Sequence, residues 1–240
     1  MKAFIDLAVI AIIVICIWGG YKKGLIMAVG GILAILISLY SANIVANTFS
    51  GDVVSALRPF VNGYTEKVVR EEGGALDVMG WDKLNQSLED ILAQQPEKRS
   101  EFFSECYQSV GIHKSSADAM AREAEAYADL NDESAMNAVV QILCEKISFV
   151  GCYVLSFLMI LIILTVIGNI PNLSFKLPNL DMVNDICGAV LGAVTGFMFC
   201  VILVWGLKFM GIIIGHDTLE ETKLASLFLK SDILYKYLGI

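Results

Sequence analysis

The residues that most often carry catalysis or bind metal are sparse in this sequence and isolated from one another. The two histidines, His113 and His216, belong to no H-x-x-x-H or H-E-x-x-H pattern, and the six cysteines form no C-x-x-C pair. The G-x-S-x-G and G-x-x-x-x-G-K-[ST] signatures of hydrolases and nucleotide-binding proteins are also absent. We therefore expect a non-enzymatic protein with no catalytic residues, no metal and no cofactor.

A few charged residues stand within apolar sequence, and these are the first candidates for function. Asp6 is the acid inside the first apolar block, where a carboxylate is costly in a bilayer unless it is paired, hydrated or near the interface. Its place near the N-terminus favours an interfacial anchor, paired with Lys2, over a proton relay. Lys22 and Lys23 separate two apolar blocks, as the positive-inside rule expects of a short cytoplasmic loop.

The elements that position these charges are long apolar blocks. Hydrophobic residues make up 56% of the chain and the mean hydropathy is +0.67, above the range of an ordinary soluble domain. A membrane-spanning helix needs about 20 apolar residues. The sequence predicts an all-α integral membrane protein with four transmembrane helices and a helical extracytoplasmic insert between the second and third. The four blocks are 4–20, 25–45, 147–167 and 186–207.

This pattern divides the chain into four predicted segments. If the lysine pair faces the cytoplasm, the N-terminus, the insert and the C-terminus all lie outside. The segments are a transmembrane hairpin of two helices (1–45), an acidic extracytoplasmic insert (46–146), a second hairpin with an interfacial inner loop at 168–185 (147–214), and an amphipathic C-terminal helix (215–240).

The insert carries the acidity of the protein. It has nine Lys or Arg residues against eighteen Asp or Glu residues, a net charge of −9. An acidic surface excludes nucleic acid, whose phosphates require a basic partner. Cys106 and Cys144 both lie in the insert, so a disulfide between them is possible, but their spacing alone does not establish it.

Apolar spacing in the insert predicts helices throughout. A stripe from Leu76 to Leu92 with spacings of three and four residues predicts one helix that ends at Pro96. A short helix is expected over 102–110. Ser115 and Asp118 resemble a capping box that opens an alanine-rich helix. Asp132 is the expected N-cap of a further helix that runs into the third span.

Glycines at helical spacing mark the tightest helix contacts. Gly188, Gly192 and Gly196 lie four residues apart and share one helix face, and Gly20 and Gly24 repeat the spacing in the first hairpin. Such faces let helix backbones approach closely in lipid. Two interpretations remain open, namely packing within one protomer, or an oligomer seam or pore lining.

An acid stands at the beginning of the fourth span. Asp181 suits the N-terminal end of that helix, where a negative charge is favoured by the helix dipole. A ligand-binding role for Asp181 is the second interpretation.

Three stretches resemble the colicin V production (CvpA) family of bacterial inner-membrane proteins. They are "IDLAVIAIIVICIWGGYKKGLIMAVGG", "KLPNLDMVNDICGAVLGAVTGF" and "ETKLASLFLKSDILYKYL". Asp6, Lys23-Gly24, Asp181 and the three spaced glycines follow the family's pattern, whereas Asn184-Asp185 departs from the basic character usual at that point. The resemblance implies a multi-pass plasma-membrane protein linked to toxin production or export and to envelope maintenance, without known catalytic residues.

Two functions of different class follow from these patterns. The first is a membrane protein that supports colicin V-like toxin production or export, or envelope homeostasis, as an oligomer or a partner-binding scaffold. Its partners are the lipid bilayer and a second copy or another envelope protein, while a small-molecule ligand is left undetermined. The alternative is a small channel or transporter in which the glycine-rich helices line the path and Asp6 lies at its outer mouth.

Overall fold

The computed structural model describes residues 2–81, 87–169 and 181–209, together with Thr222, Leu224 and Phe228. Across these residues the regular structure is entirely helical, without strands, which confirms the predicted all-α class. The helices are α1 (Lys2–Arg70), α2 (Ala75–Val78), α3 (Leu88–Gln94), α4 (Arg99–Ser109), α5 (Lys114–Asn131), α6 (Ala135–Asn169) and α7 (Asp181–Leu207), with a 3₁₀ turn at Pro96–Lys98.

Three helices, α1, α6 and α7, are long and apolar enough to cross a membrane. Their length follows from long runs of Ile, Leu, Val and Ala, which satisfy their own backbone groups in the helix and need no polar face where lipid replaces water. Large side chains such as Ile15, Tyr40 and Leu155 are more than 65% exposed on the protein surface. An apolar surface of this kind fits contact with lipid.

Helix α1 consists of two segments that meet at Gly24, namely α1a (residues 2–23) and α1b (residues 25–70). Gly24 has φ 75° and ψ 177°, a conformation that glycine adopts far more readily than other residues. Ile15 of α1a and Ile35 of α1b line the same cleft. Because twenty residues of straight helix would separate them by about 30 Å, the two segments must lie side by side, with the chain turning at Gly24.

The chain forms two compact units. The first, which we call the membrane unit, comprises Met1–Thr48, Cys152–Gly206 and Asp217–Ile240. The second, the acidic unit, comprises Phe49–Gly151 and Leu207–His216. The segment boundaries predicted at residues 46 and 146 both fall inside helices, α1 and α6.

Aromatic residues of α4 form the core of the acidic unit. Phe102, Phe103 and Tyr107 are completely buried, and α4 packs against α5, whose buried residues are mostly alanines. Small alanine side chains let the aromatic rings lie close to the α5 backbone. The Tyr107 hydroxyl donates a hydrogen bond of 3.2 Å to the carbonyl of Val139, so burial of this ring does not leave its polar atom unsatisfied.

The single helix predicted from Leu76 to Pro96 is wrong. Helix α2 ends at Val78, and Gly80 has φ 68°, a left-handed conformation that terminates the helix before Trp81. The next helix, α3, begins only after Ser87, whose hydroxyl accepts the N–H of Asp90. The apolar spacing continues through residues 80 to 87 and so predicts an uninterrupted helix, although the glycine there is a signal for a helix end and the serine a signal for a helix start. Residues 82–86 lie outside the described part.

The predicted cap of the alanine-rich helix α5 is also wrong. His113, not Ser115, is the N-cap, because its Nδ1 accepts the N–H of Ser115 at 3.3 Å. Asp118, the expected second member of the capping box, instead accepts a hydrogen bond of 2.6 Å from the hydroxyl of Ser104 on α4. The carboxylate therefore joins two helices rather than closing the end of one.

Asp132 does not begin α6 as predicted, but ends α5. It has φ 52° in the left-handed region, and its N–H donates to the carbonyl of Ala128. The hydroxyl of Ser134 accepts the N–H of Asn137 at the start of α6. Helix α6 then continues through Ile147 to Asn169, as one helix, as the sequence predicts.

Cys106 and Cys144 are both free thiols and fully buried in the acidic unit. The disulfide that their spacing left open is not formed in this structure. They act instead as small apolar residues of the core.

Burial makes the acidic unit sensitive to alkaline pH. It raises the pKa of the Cys106 thiol and holds the pKa of the Tyr107 hydroxyl well above its usual value. In the unfolded chain these groups ionise at about pH 8.5 and 10, whereas the folded protein keeps both protons. We therefore expect these two groups to leave the stability unchanged below about pH 8.5 and to lower it as the pH rises above that value.

The measurement is thermal melting of the purified chain in detergent between pH 7 and 10.5. Cys106→Ala should make the decline between about pH 8.5 and 10 less steep, whatever its effect on the melting temperature at pH 7. Parallel curves for the two proteins would contradict the role assigned to the thiol.

Candidate functional site

The glycines predicted to pack helices form one antiparallel contact between α1a and α7, which we call the glycine seam. A Cβ atom placed on Gly20 would overlap the carbonyl oxygen of Gly188, and one placed on Gly192 would overlap the carbonyl oxygen of Cys16. At Gly196 an added Cβ would lie 3.0 Å from the Cα of Ile13. The contacts run in opposite directions along the two helices and lie within one chain.

Close backbone contact leaves no room between the two helices for a path. The oligomer-seam interpretation requires the glycine faces to be free, yet Gly20, Gly188 and Gly192 pack against the partner helix of the same chain. Dispersion between the closely approaching backbones stabilises this arrangement where hydrophobic exclusion is weak.

Asn184 of α7 holds the turn at Gly24 at one end of the seam. Its Oδ1 accepts the N–H of Leu25 at 3.0 Å, and the side chain is only 5% exposed. Because the turn removes Leu25 from the hydrogen bonding of α1a, its N–H is one of the unsatisfied donors at the start of a helix. A Cβ on Gly24 would overlap the Asn184 amide, so glycine is required at residue 24 by space as well as by conformation.

Sequence reasoning noticed Asn184 only as a departure from the basic residue expected there. The signal that could have identified it is the combination of a helix break at Gly24 and a polar residue one turn into a helix that packs beside the break. At this position an amide stands in place of a charged residue, and its oxygen is a neutral acceptor that suits the part-buried N–H of Leu25.

A cleft of about 280 Å³ lies beside the seam within the membrane unit, bounded by α1a, α1b, α6 and α7. Gly19 and Gly31 leave it open, since an added Cβ would meet no atom within 4 Å at either position. Lys23 is the charged residue among those that line it. Its neighbour Lys22 instead lies over the ring of Trp18, 5.1 Å from the centroid.

The second half of the chain matches a known protein family. Residues 124–232 match the family model described as Colicin V production protein. This match confirms the resemblance inferred from the sequence. It includes all of α6 and α7, and therefore the α7 side of the glycine seam and Asn184. Of the three resembling stretches, the first, in α1, lies outside the matched residues. No curated protein and no solved structure matches the chain.

Asp6 lies at the other end of α1a from Lys23 and has a partner in the C-terminal region matched by the colicin V production family. One carboxylate oxygen accepts the N–H of Leu224 at 3.1 Å. Phe228 packs against Phe197 of α7, with ring centroids 5.2 Å apart. Within the membrane unit, Leu224 thus contacts α1a and Phe228 contacts α7.

Several predictions about this region fall on parts that the structure leaves out. The Lys2 side chain, the proposed partner of Asp6, lies outside the described part, as do residues 170–180 of the inner loop. Asp181 is the first residue of α7, but its side chain is not described. The predicted C-terminal helix 215–240 is described only at Thr222, Leu224 and Phe228.

No group of three or more His, Cys, Asp or Glu side chains arranged to hold a metal ion occurs among the described residues. The geometry of the site therefore consists of helix packing, one buried amide and a lysine beside an apolar cleft. Such an arrangement can hold helices in a fixed relation and can bind an amphipathic molecule.

Proposed function

We propose that this chain is a non-enzymatic plasma-membrane protein that supports the production or export of a colicin V-like toxin, or envelope homeostasis. The observation that carries the proposal is the match of residues 124–232 to the Colicin V production protein family, which supports a role in toxin production. The matched region includes the long apolar helices α6 and α7. The glycines of α7 pack against α1a in the glycine seam.

In the proposed arrangement the chain crosses the membrane four times. The side-by-side segments α1a and α1b supply two crossings and α6 and α7 supply the others. Lys22 and Lys23 lie at the turn between the first two and favour its placement in the cytoplasm. The acidic unit and the C-terminus then lie outside the cytoplasm.

The acidic unit is the proposed partner-binding surface. Its net negative charge would attract a basic surface and raise the rate of encounter. Because like charges repel, this surface suits a different envelope protein better than a second copy of the chain. A homo-oligomer would form through the apolar faces of the membrane helices instead.

A complementation assay tests the role in toxin production. Cells that secrete a colicin V-like peptide and lack this gene should release less active toxin, and the wild-type gene should restore the yield. Glu97 and Glu101 are exposed and form no ion pair with another residue in the described part of the chain. The double variant E97K/E101K should therefore reduce the yield by weakening the binding of a basic partner. D52K/E72K makes the same total charge change at two other exposed residues of the acidic unit, and as the control it shows whether the position of the charges matters rather than the net charge of the unit.

The assay separates the two parts of the proposal. Unchanged toxin release in the deletion strain would refute the role in toxin production. Full activity of E97K/E101K, with membrane levels equal to wild type, would refute the partner-binding surface but leave the first part standing.

Reporter fusions active on only one side of the membrane test the topology. Fusions after residues 23 and 178 should report the cytoplasm, and fusions after residues 100 and 240 the opposite side. If the fusions after residues 23 and 100 reported the same compartment, the four-crossing arrangement would be wrong.

A further inference from the structure

We propose that the cleft beside the glycine seam binds one anionic phospholipid, with the phosphate on Lys23 and an acyl chain along the apolar wall. The cleft lies among the four membrane segments of the membrane unit and has a volume of about 280 Å³. The helices that form the cleft are apolar enough to cross a bilayer. In a membrane, the molecules next to the cleft are therefore lipids. The inference goes beyond the role in toxin production and depends only on the membrane location.

Charge points to an anionic headgroup. Lys23 is the charged residue among the lining residues, and none of the ion pairs in the described part of the chain involves it. Lys22, the adjacent residue, lies over Trp18 and does not line the cleft. A lysine beside an apolar cavity at the end of a membrane helix is the arrangement that binds lipid phosphates between helices.

The remaining lining is shaped for an acyl chain rather than for a small free anion. Ile15, Met27, Leu161 and Phe199 supply apolar side chains. The hydroxyl of Thr195 donates to the carbonyl of Leu191 in its own helix at 2.9 Å, so it does not offer its proton to a ligand. A phosphate alone would contact Lys23 and leave this apolar wall uncovered, whereas a lipid would satisfy both ends.

Glycine gives the cleft its depth. Gly19 and Gly31 line it, and a Cβ added to either would meet no atom within 4 Å. A larger side chain at these positions could therefore occupy the cleft without displacing the helices. Gly30 is equally free of Cβ contacts but does not line the cleft, which makes it a matched control for Gly31.

The first test compares lipid binding to the purified full chain in detergent by native mass spectrometry. Phosphatidylglycerol should form a one-to-one adduct more strongly than phosphatidylcholine with the same acyl chains. K23Q should lower the apparent affinity for phosphatidylglycerol about five-fold, since one lysine near an anionic headgroup contributes an interaction of that size. K22Q should leave the affinity unchanged.

The second test fills the cleft. Gly31→Leu should reduce the adducts of both lipids, because it removes space for the acyl chain, whereas Gly30→Leu should not. The melting temperature of Gly31→Leu, measured alongside, should stay close to that of the wild type. A loss of binding with folding retained distinguishes occupation of the cleft from unfolding.

Other occupants give different results. Equal affinity of wild type, K23Q and Gly31→Leu for phosphatidylglycerol would overturn the proposal, as would no preference for phosphatidylglycerol over phosphatidylcholine. Displacement of the lipid by millimolar glycerol phosphate would show a site for free anions instead, which also contradicts it. None of these measurements depends on toxin yield, so the proposal can fail independently of the proposed function.

Discussion

Gly192→Leu is expected to lower the melting temperature of the purified protein by about 10 °C, or to prevent its accumulation in the membrane. The reason is geometric, because even the Cβ of the new side chain would overlap the carbonyl oxygen of Cys16, and the rest of leucine would force α1a and α7 apart. The atom it meets belongs to the backbone, which cannot rotate away. The cost should therefore be at the upper end of the range of about 1 to 3 kcal/mol for overpacking.

Gly151→Leu is the matched control for this prediction. Gly151 lies in α6, is exposed, and has no atom within 4 Å of an added Cβ. The same substitution there should change the melting temperature by no more than about 2 °C. If the two variants melted alike, the close contact at the glycine seam would not be a major source of stability.

Gly192→Leu also distinguishes the two interpretations of the spaced glycines. Gly192 packs against Cys16 of its own chain. Gly192→Leu should therefore lower the melting temperature, while the molecules that do fold should still give crosslinked oligomers of the wild-type size. A smaller crosslinked species with unchanged melting would restore the oligomer-seam interpretation.

Asn184→Leu is the prediction with the second largest effect. Leucine matches asparagine in approximate size but has no acceptor for the Leu25 N–H, which would lose its partner in a part-buried position. An unsatisfied buried donor costs about 1 to 3 kcal/mol. Because the Leu25 N–H is part-buried, we expect a cost near the lower end of this range and a fall in melting temperature of about 4 °C. Hydrogen exchange should accelerate in the peptide that contains Leu25 and stay unchanged in α4 and α5.

Asn47→Leu is the corresponding control, since Asn47 is exposed on α1b and its amide bonds only to Asn43 in the preceding turn. It should melt close to the wild type. Faster exchange throughout the chain in Asn184→Leu would indicate global destabilisation and would argue against a local role at the turn.

Helix ends in the acidic unit show where sequence reasoning fails. Ser115, predicted to begin α5, and Asp132, predicted to begin α6, are both residue types that favour helix N-caps, and the sequence alone does not show that neither begins a helix. The choice is made by contacts that the sequence does not display. Asp118 is drawn to Ser104 of the neighbouring helix, and His113 then caps α5.

The sequence by itself determined the helical class, the long apolar helices, the separation of the first two apolar blocks at Lys22 and Lys23, and the family resemblance, because hydropathy and local motifs depend on neighbouring residues. Only the tertiary structure decided which groups meet. The Leu25 N–H and Asn184 are 159 residues apart, and Asp6 and Leu224 are 218 residues apart. The spacing of the glycines indicates which helix face can pack closely, but not which helix packs against it. That partner is fixed by the shape of the whole helix assembly, in which each backbone group must find space and a hydrogen bond at once.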